Sequence, residues 1–354
     1  MQRRDFLKAS AATTLTAATG PIILGADKKA GTDTPVIGID GHRYECHHNW
    51  GTLPTSLEWQ TTHNVAIDSN QHVYITQQGH AGKKGLDTVM VFDTAGKFVK
   101  SFGKEWHGGG HGIDVRKEGG EEFFYYTNTW KSPKVVKMNA KGETVWKLER
   151  PPTPEYNDPK KAYNPTNVAF CPNGDVFVGD GYGSNYMLKF DKDGQFLSIF
   201  GGSGKKDGQF ATPHGNWIDE RTKDKPTLVV CDRANARLQT FDLAGKHLST
   251  TEKGTVLFPA NIDIQGDTML VPDLHARVSL FDKAGQPIVH LGEDKEWREK
   301  VVGSLSKGPA VRSQPKLWEV GKFVHPHDAC FDGAGNIYVV EWVDGGRITF
   351  LKKV

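Results

Sequence analysis

Fourteen histidines are spread along the 354-residue chain, and four of them occupy one recurring position. Short alternating apolar runs recur through the sequence. The residue just ahead of each run reads His63, His111, Thr166, His214, Ala260 and His327 in turn. If these runs are the innermost strands of six units in a closed ring, alternate units stand about 120° apart and their first side chains converge on the axis. His111, His214 and His327 belong to the second, fourth and sixth units. Three neutral imidazoles with a free fourth position are the ligand set of an open zinc site, and imidazole suits zinc or another late transition metal. A lone histidine beside proline or glycine reads as a turn residue. Three at one register in alternate units read as ligands. His63 shares the column but breaks the alternation, so it is expected to touch substrate or to support the ligands from behind.

A second set of residues falls at the same mouth. An antiparallel second strand ends where the first begins, so residues just after it share a face with the histidines. Those positions carry Gln78 and His80, Trp130, Tyr182, Arg233, His275 and Trp342. A phenol, a guanidinium, imidazoles and indoles around a metal make a polar pocket able to bind a small molecule. Asp180, Asp232 and Asp273 recur there too regularly to be separate catalysts, and read as acceptors of backbone N–H groups in turns.

The elements that must position these groups announce themselves as repeats. One phrase is an apolar residue, an acid or Asn, two residues and Gly, as in Phe92–Gly96, Met138–Gly142, Phe190–Gly194, Phe241–Gly245 and Phe281–Gly285. Each phrase lies between two strand-like runs and predicts a hairpin. The alternating openings begin Asn64-Val65-Ala66-Ile67, Gly112-Ile113-Asp114-Val115, Asn167-Val168-Ala169-Phe170, Asn216-Trp217-Ile218, Asn261-Ile262-Asp263-Ile264 and Asp328-Ala329-Cys330-Phe331. Six openings and six second strands predict an all-β, six-bladed β-propeller of four-stranded antiparallel blades. The sixth unit runs out at its third strand. Ile39-Asp40-Gly41 and the strand-like His42–His48 carry the missing pattern, so the N-terminal segment is expected to supply the last blade's outer strand and remove an exposed edge. One long interruption, Leu291–Lys322, is charged, partly helical in pattern, and placed to form a flap over one face.

Composition agrees with many short strands: 40 Gly and 18 Pro suit tight turns better than long helices. A net charge of +2 gives no nucleic-acid footprint and no polybasic membrane patch. Residues 1–26 read as a targeting segment. Arg3-Arg4-Asp5-Phe6-Leu7-Lys8 precedes an Ala/Thr-rich run too polar for stable membrane insertion, and the paired arginines resemble a twin-arginine signal. A periplasmic or extracellular location follows. Residues 27–35 are expected to be a linker and 36–354 a single propeller. Cys46, Cys171, Cys231 and Cys330 match no paired zinc motif or dense disulfide framework, and read as small buried hydrophobes.

The repeats resemble NHL-type propeller repeats. The stretches Asn164–Val168, Val176–Tyr182, Gly208–Phe210, Pro213-His214, Cys231–Gln239 and Pro326–Asp328 are similar, in order, to peptidyl-α-hydroxyglycine α-amidating lyases, which split a carbinolamide into an amide and glyoxylate. The resemblance implies that zinc is held by His111, His214 and His327, that Tyr182 is the catalytic tyrosine and that Arg233 is an active-site arginine. It also implies a structural calcium on Asp328 and the carbonyls of Val65 and Ile113, a donor set suited to a hard cation. The chain departs from the family's pattern in three places. Gln78 stands where a second arginine is expected, with His80 or Lys83 the nearby alternatives. Gly183 replaces a cysteine, and His325 replaces a methionine. His63, Gln78, His80, His275 and His325 are therefore the expected substrate or supporting contacts.

The leading expectation is an exported zinc-dependent carbon–nitrogen lyase acting on a small-molecule or peptide-derived substrate. The alternative is a non-catalytic NHL-repeat propeller that binds a protein or glycan partner. A six-bladed calcium lactonase stands last, because its metal would need Glu, Asn and Asp ligands where this column is histidine-rich.

Overall fold

The computed structural model describes residues 27–28, 34–79, 85–130 and 132–354. The expected signal segment 1–26 and His80 lie outside them. Six antiparallel sheets follow one another around a ring. The first blade is built from Thr62–Ile67, Val73–Gln77, Val89–Phe92 and Phe98–Phe102. The next four repeat that order, and each places its first strand innermost. Middle strands such as Val73–Gln77 and Val89–Phe92 are buried throughout, whereas the outer strand Phe98–Phe102 is largely open. A middle strand is covered by a neighbouring blade on each side, which is why its sequence reads as a continuous rather than alternating apolar run. The core is accordingly divided into six clusters, one at each blade–blade interface, such as Ala66, Tyr74 and Val89 against Ile113, Phe124 and Tyr126.

The hairpin phrase forms the turn between third and fourth strands, for a local reason. Asp93 Oδ1 accepts from the backbone N–H groups of Ala95 and Lys97, and Asn139, Asp191 and Asp242 repeat the pair of bonds. The glycine that closes each turn has φ between 77° and 88°, as at Gly285 and Gly245, where a Cβ would be strained.

Ring closure follows the expected route and extends it. His42–His48 pairs with Arg347–Lys353 as the fourth strand of the last blade. Pro35–Ile39 then folds back beside it through the two-residue Asp40-Gly41 loop, and Asp27–Lys28 pairs in turn with Pro35 and Val36. The last sheet thus has six strands rather than four. The addition is held by apolar contact, with Ile37 buried in the cluster that contains Val289 and Leu291. All four cysteines are free thiols, three of them buried.

His48 makes the closure sensitive to acid. Its Nε2 accepts from the Gly321 N–H, so Nδ1 carries the proton and donates to Thr349 Oγ1 at 2.7 Å. Burial, with Arg347 nearby, pushes its pKa down to about 3. The unfolded chain takes up a proton as pH falls through about 6.5, while the folded chain does not until far lower. Stability is therefore lost below pH 6.5, by about 2 kcal/mol at pH 5. Thermal melts at pH 7.5 and 5 should show this, and His48→Gln, which does not titrate, should shrink the difference by His48's share, the other buried histidines keeping theirs. An unchanged pH dependence in that variant would assign it elsewhere.

Candidate metal centre

All four column histidines sit at irregularities in the innermost strands. The pairing register slips between Thr62 and Asn64, Gly110 and Ile113, Pro213 and Asn216, and Pro326 and Asp328. A bulge re-aims a side chain out of the sheet's alternation, here toward the ring axis. Glycine beside two of them lets the neighbouring blade approach closely. A Cβ on Gly215 would stand 2.4 Å from Asn261 Cα, and one on Gly112 would stand 2.9 Å from the Thr166 carbonyl oxygen. The recurring acids pin the loops that lead in: Asp180, Asp232 and Asp273 accept from the N–H groups of Asn164, Ala211 and Leu257 at 2.6–2.7 Å.

His63, His111, His214 and His327 are each 1–2% exposed. Three of them share one arrangement. The Nδ1 of His111, His214 and His327 lies 2.8, 2.6 and 2.6 Å from the carbonyl oxygens of Thr166, Ala260 and His63. Those acceptors are the intervening members of the same column, so the odd-numbered blades orient the imidazoles of the even-numbered ones. A carbonyl can only accept, which fixes the proton on Nδ1 and leaves Nε2 bare. His111 Nε2 and His214 Nε2 then face each other at 3.2 Å. Two acceptors that close repel unless a cation lies between them. Two nitrogens each about 2.0–2.1 Å from a tetrahedral zinc would stand about 3.3 Å apart. The His111–His214 pair therefore fits such an ion, and the three residues whose ligand nitrogens group together are His63, His111 and His327. Burial pushes the pKa of His111 down to about 3 and those of His63, His214 and His327 well below the usual range, so the rings are neutral as ligands must be.

His63 is closer to this centre than the alternation predicts. Its ring centroid is 5.0 Å from that of His111 and 4.8 Å from that of His327. Ligand nitrogens of these three residues lie within 4.8 Å of one another. Its Nδ1 is buried without a close hydrogen-bond partner, and the nearest backbone group to interact with the ring is that of Thr61, just ahead of its own strand rather than on a neighbouring blade.

Above the histidines is a cavity of about 440 Å³ that reaches His327. Tyr182 Oη lies 3.2 Å from His214 Nε2 and accepts from Arg233 Nη2 at 2.8 Å. The guanidinium sits over two rings, 5.1 Å from Tyr182 and 5.3 Å from Phe258, and Phe258 stacks on His275 at 4.9 Å. Arg233 is buried, with Nε and Nη1 unpartnered, so its charge faces the cavity with donors to spare. Gln78, Trp130, His275, His325 and Trp342 line the same space. Sequence reasoning missed Phe258, Leu274 and Leu305. Phe258 had a signal, because it stands two residues before its column position, as His325 does.

Beneath the histidines the axis opens into a second cavity of about 160 Å³, lined by Val65, Ile113, Asn261 and Asp328 among others. Asp328 is 2% exposed. It accepts from the Val65 N–H at 2.8 Å and from Asn261 Nδ2 at 2.7 Å. Among the described residues no cationic side chain pairs with it, and burial pushes its pKa well up. A buried carboxylate is a donor that suits a hard cation.

Over 289 residues the chain is 25% identical to the peptidyl-α-hydroxyglycine α-amidating lyase 1 of Drosophila melanogaster, covering 75% of this chain and 49% of that protein. It is 29% identical over 157 residues to a probable lyase of that name from Caenorhabditis elegans, covering 44% of this chain and 43% of the relative. A 174-residue stretch, 48% of this chain, is 29% identical to peptidyl-glycine α-amidating monooxygenase A of Xenopus laevis, of which it covers 18%. The chain is similar to the amidating lyases. It spans less than half the length of each of these relatives. Among solved structures a streptogramin B lyase superimposes with a TM-score of 0.56 at 13% identity, over 87% of this chain and 97% of that one. The virginiamycin B lyase of Staphylococcus aureus gives 0.55 at 13% identity, over 88% of this chain and 100% of that one. These two show the propeller fold. Residues 1–20 match the twin-arginine translocation (TAT) pathway signal sequence, which directs export to the periplasm or beyond. Among the described residues no helix is long and apolar enough to cross a membrane.

Proposed function

We propose that the chain is an exported zinc-dependent lyase that breaks the C–N bond of a carbinolamide, releasing an amide and glyoxylate. The observation that carries this reading is the three-imidazole centre, each Nδ1 tied to a carbonyl, lying directly under Tyr182 and Arg233. His111, His214 and His327 would hold zinc, which when bound polarises the carbinol oxygen and lowers the pKa of its hydroxyl. Asp328 and the carbonyls of Val65 and Ile113 would hold a structural calcium.

The residues divide the remaining work. Tyr182, as the phenolate, would take the hydroxyl proton while the C–N electrons pass to nitrogen and the carbinol carbon becomes a carbonyl. The departing nitrogen needs one proton to become the amide, so Tyr182 can return the proton it took and the balance closes. Arg233 Nη2 supports negative charge on Oη during that transfer. Its free Nε and Nη1 are placed for the substrate carboxylate. The position that would supply a second cation holds Gln78, which is neutral and lines the mouth.

The test is turnover of an N-acyl-α-hydroxyglycine by zinc-loaded protein. Glyoxylate and amide should appear one to one, above the spontaneous rate, and stop on zinc removal. Arg233→Ala should lower kcat/KM by roughly 10²–10³-fold. Zinc-loaded protein that yields no glyoxylate from such substrates would overturn the proposal.

A further inference from the structure

The cavity above the histidines combines a long apolar wall with a few polar groups, among them Arg233, Gln78, His275 and His325, whose ring lies 5.7 Å from Trp342. Two large apolar side chains on its rim stand open to solvent, Trp130 at 41% and Leu305 at 47%. Phe258, Leu274 and Trp342 continue the apolar wall, and among the described residues no carboxylate side chain lines the space. Among the described residues the guanidinium that lines it is that of Arg233, whose Nε and Nη1 lack partners. A ligand that satisfies the guanidinium and the wall carries an anion toward Arg233 and an apolar group toward Leu305 and Trp342. A volume of about 440 Å³ suits a compact molecule rather than an extended chain.

The inserted segment between the fifth and sixth blades contributes Leu305 to the apolar wall. Its helix, Lys295–Ser304, is capped by Asp294, which accepts from the Trp297 N–H. Trp297 and Val301 bury against Ala276, Val324 and Val343. That anchoring delivers Leu305, immediately after the helix, to the cavity. The same segment sets a second wall: Arg312 lies 3.6 Å over the Trp342 ring and donates from Nε to the Trp342 carbonyl at 3.1 Å.

We infer that this mouth selects substrates whose acyl group is compact, apolar and preferably aromatic, and that the inserted segment is the specificity element, through Leu305 directly and Trp342 by way of Arg312. The carbinolamide part of this assignment rests on the lyase reading above, whereas the acyl preference rests on the cavity.

N-Benzoylglycine and N-acetylglycine separate the two, because both carry the carboxylate and neither has the hydroxyl needed for cleavage. Titration calorimetry on zinc-loaded protein should show the benzoyl compound binding roughly 10–100-fold more tightly, the range expected for burying one phenyl ring. Leu305→Asn, which adds no charge, should erase about tenfold of that difference while leaving N-acetylglycine affinity and zinc content unchanged. Arg312→Ala should weaken the benzoyl compound alone. Equal affinities, or no binding of the benzoyl compound, would overturn the inference. Selective binding without turnover of the corresponding α-hydroxy compound would sink the lyase reading and leave the acyl site standing; turnover indifferent to the acyl group would do the reverse.

Discussion

Replacing His214 with alanine should remove the metal and the turnover together. His214 is 2% exposed, its Nδ1 is committed to the Ala260 carbonyl, and its Nε2 lies 3.2 Å from both His111 Nε2 and Tyr182 Oη. Loss of a direct ligand should exceed the 10–100-fold fall in affinity typical of removing a supporting group, so zinc affinity should drop by more than about 100-fold. The variant also strands the Ala260 carbonyl, at a cost of about 1–3 kcal/mol, which a melt would register without abolishing the fold. His63→Ala is the informative contrast. Its ring is close but its Nδ1 is not tied to a neighbouring blade's carbonyl, so its removal should fall within the 10–100-fold range and leave measurable zinc at saturation. A His63 variant that loses zinc as completely as the His214 variant would move His63 into the ligand set.

Tyr182→Phe should separate chemistry from metal binding. The ring makes the wall beside Trp130, at 5.2 Å, and beside His111, at 5.4 Å, and phenylalanine keeps both contacts. Only the oxygen is lost, and with it the proton carrier between His214 and Arg233. Turnover should fall roughly 10²–10⁴-fold with zinc content unchanged and KM altered far less than kcat. A kcat within twofold of the parent would remove Tyr182 from proton transfer.

The parts of this molecule legible in the sequence are those imposed by local chemistry repeated six times. The acid-to-glycine phrase marked hairpins because one carboxylate must reach two N–H groups and the last residue must take a positive φ, as at Asp93 and Gly96. The column of histidines and the residues after the second strands share one mouth because antiparallel pairing brings the two strand ends together. Closure by His42–His48 followed from a blade one strand short.

What stayed hidden depends on long-range packing. Leu305 reaches the cavity because Trp297 and Val301 find a site against the fifth and sixth blades, which no repeat period encodes. The bulge at His63 brings its ring to the axis despite the broken alternation. The extra strand Pro35–Ile39 is held by contacts with Leu291, some 250 residues away.

Every chemical step above depends on a transition metal seated among His111, His214 and His327. Elemental analysis of protein purified without chelator addresses that claim directly. One zinc per chain, lost in His214→Ala and retained in Tyr182→Phe, is the expected result. A protein that holds no transition metal even after reconstitution with zinc would contradict it.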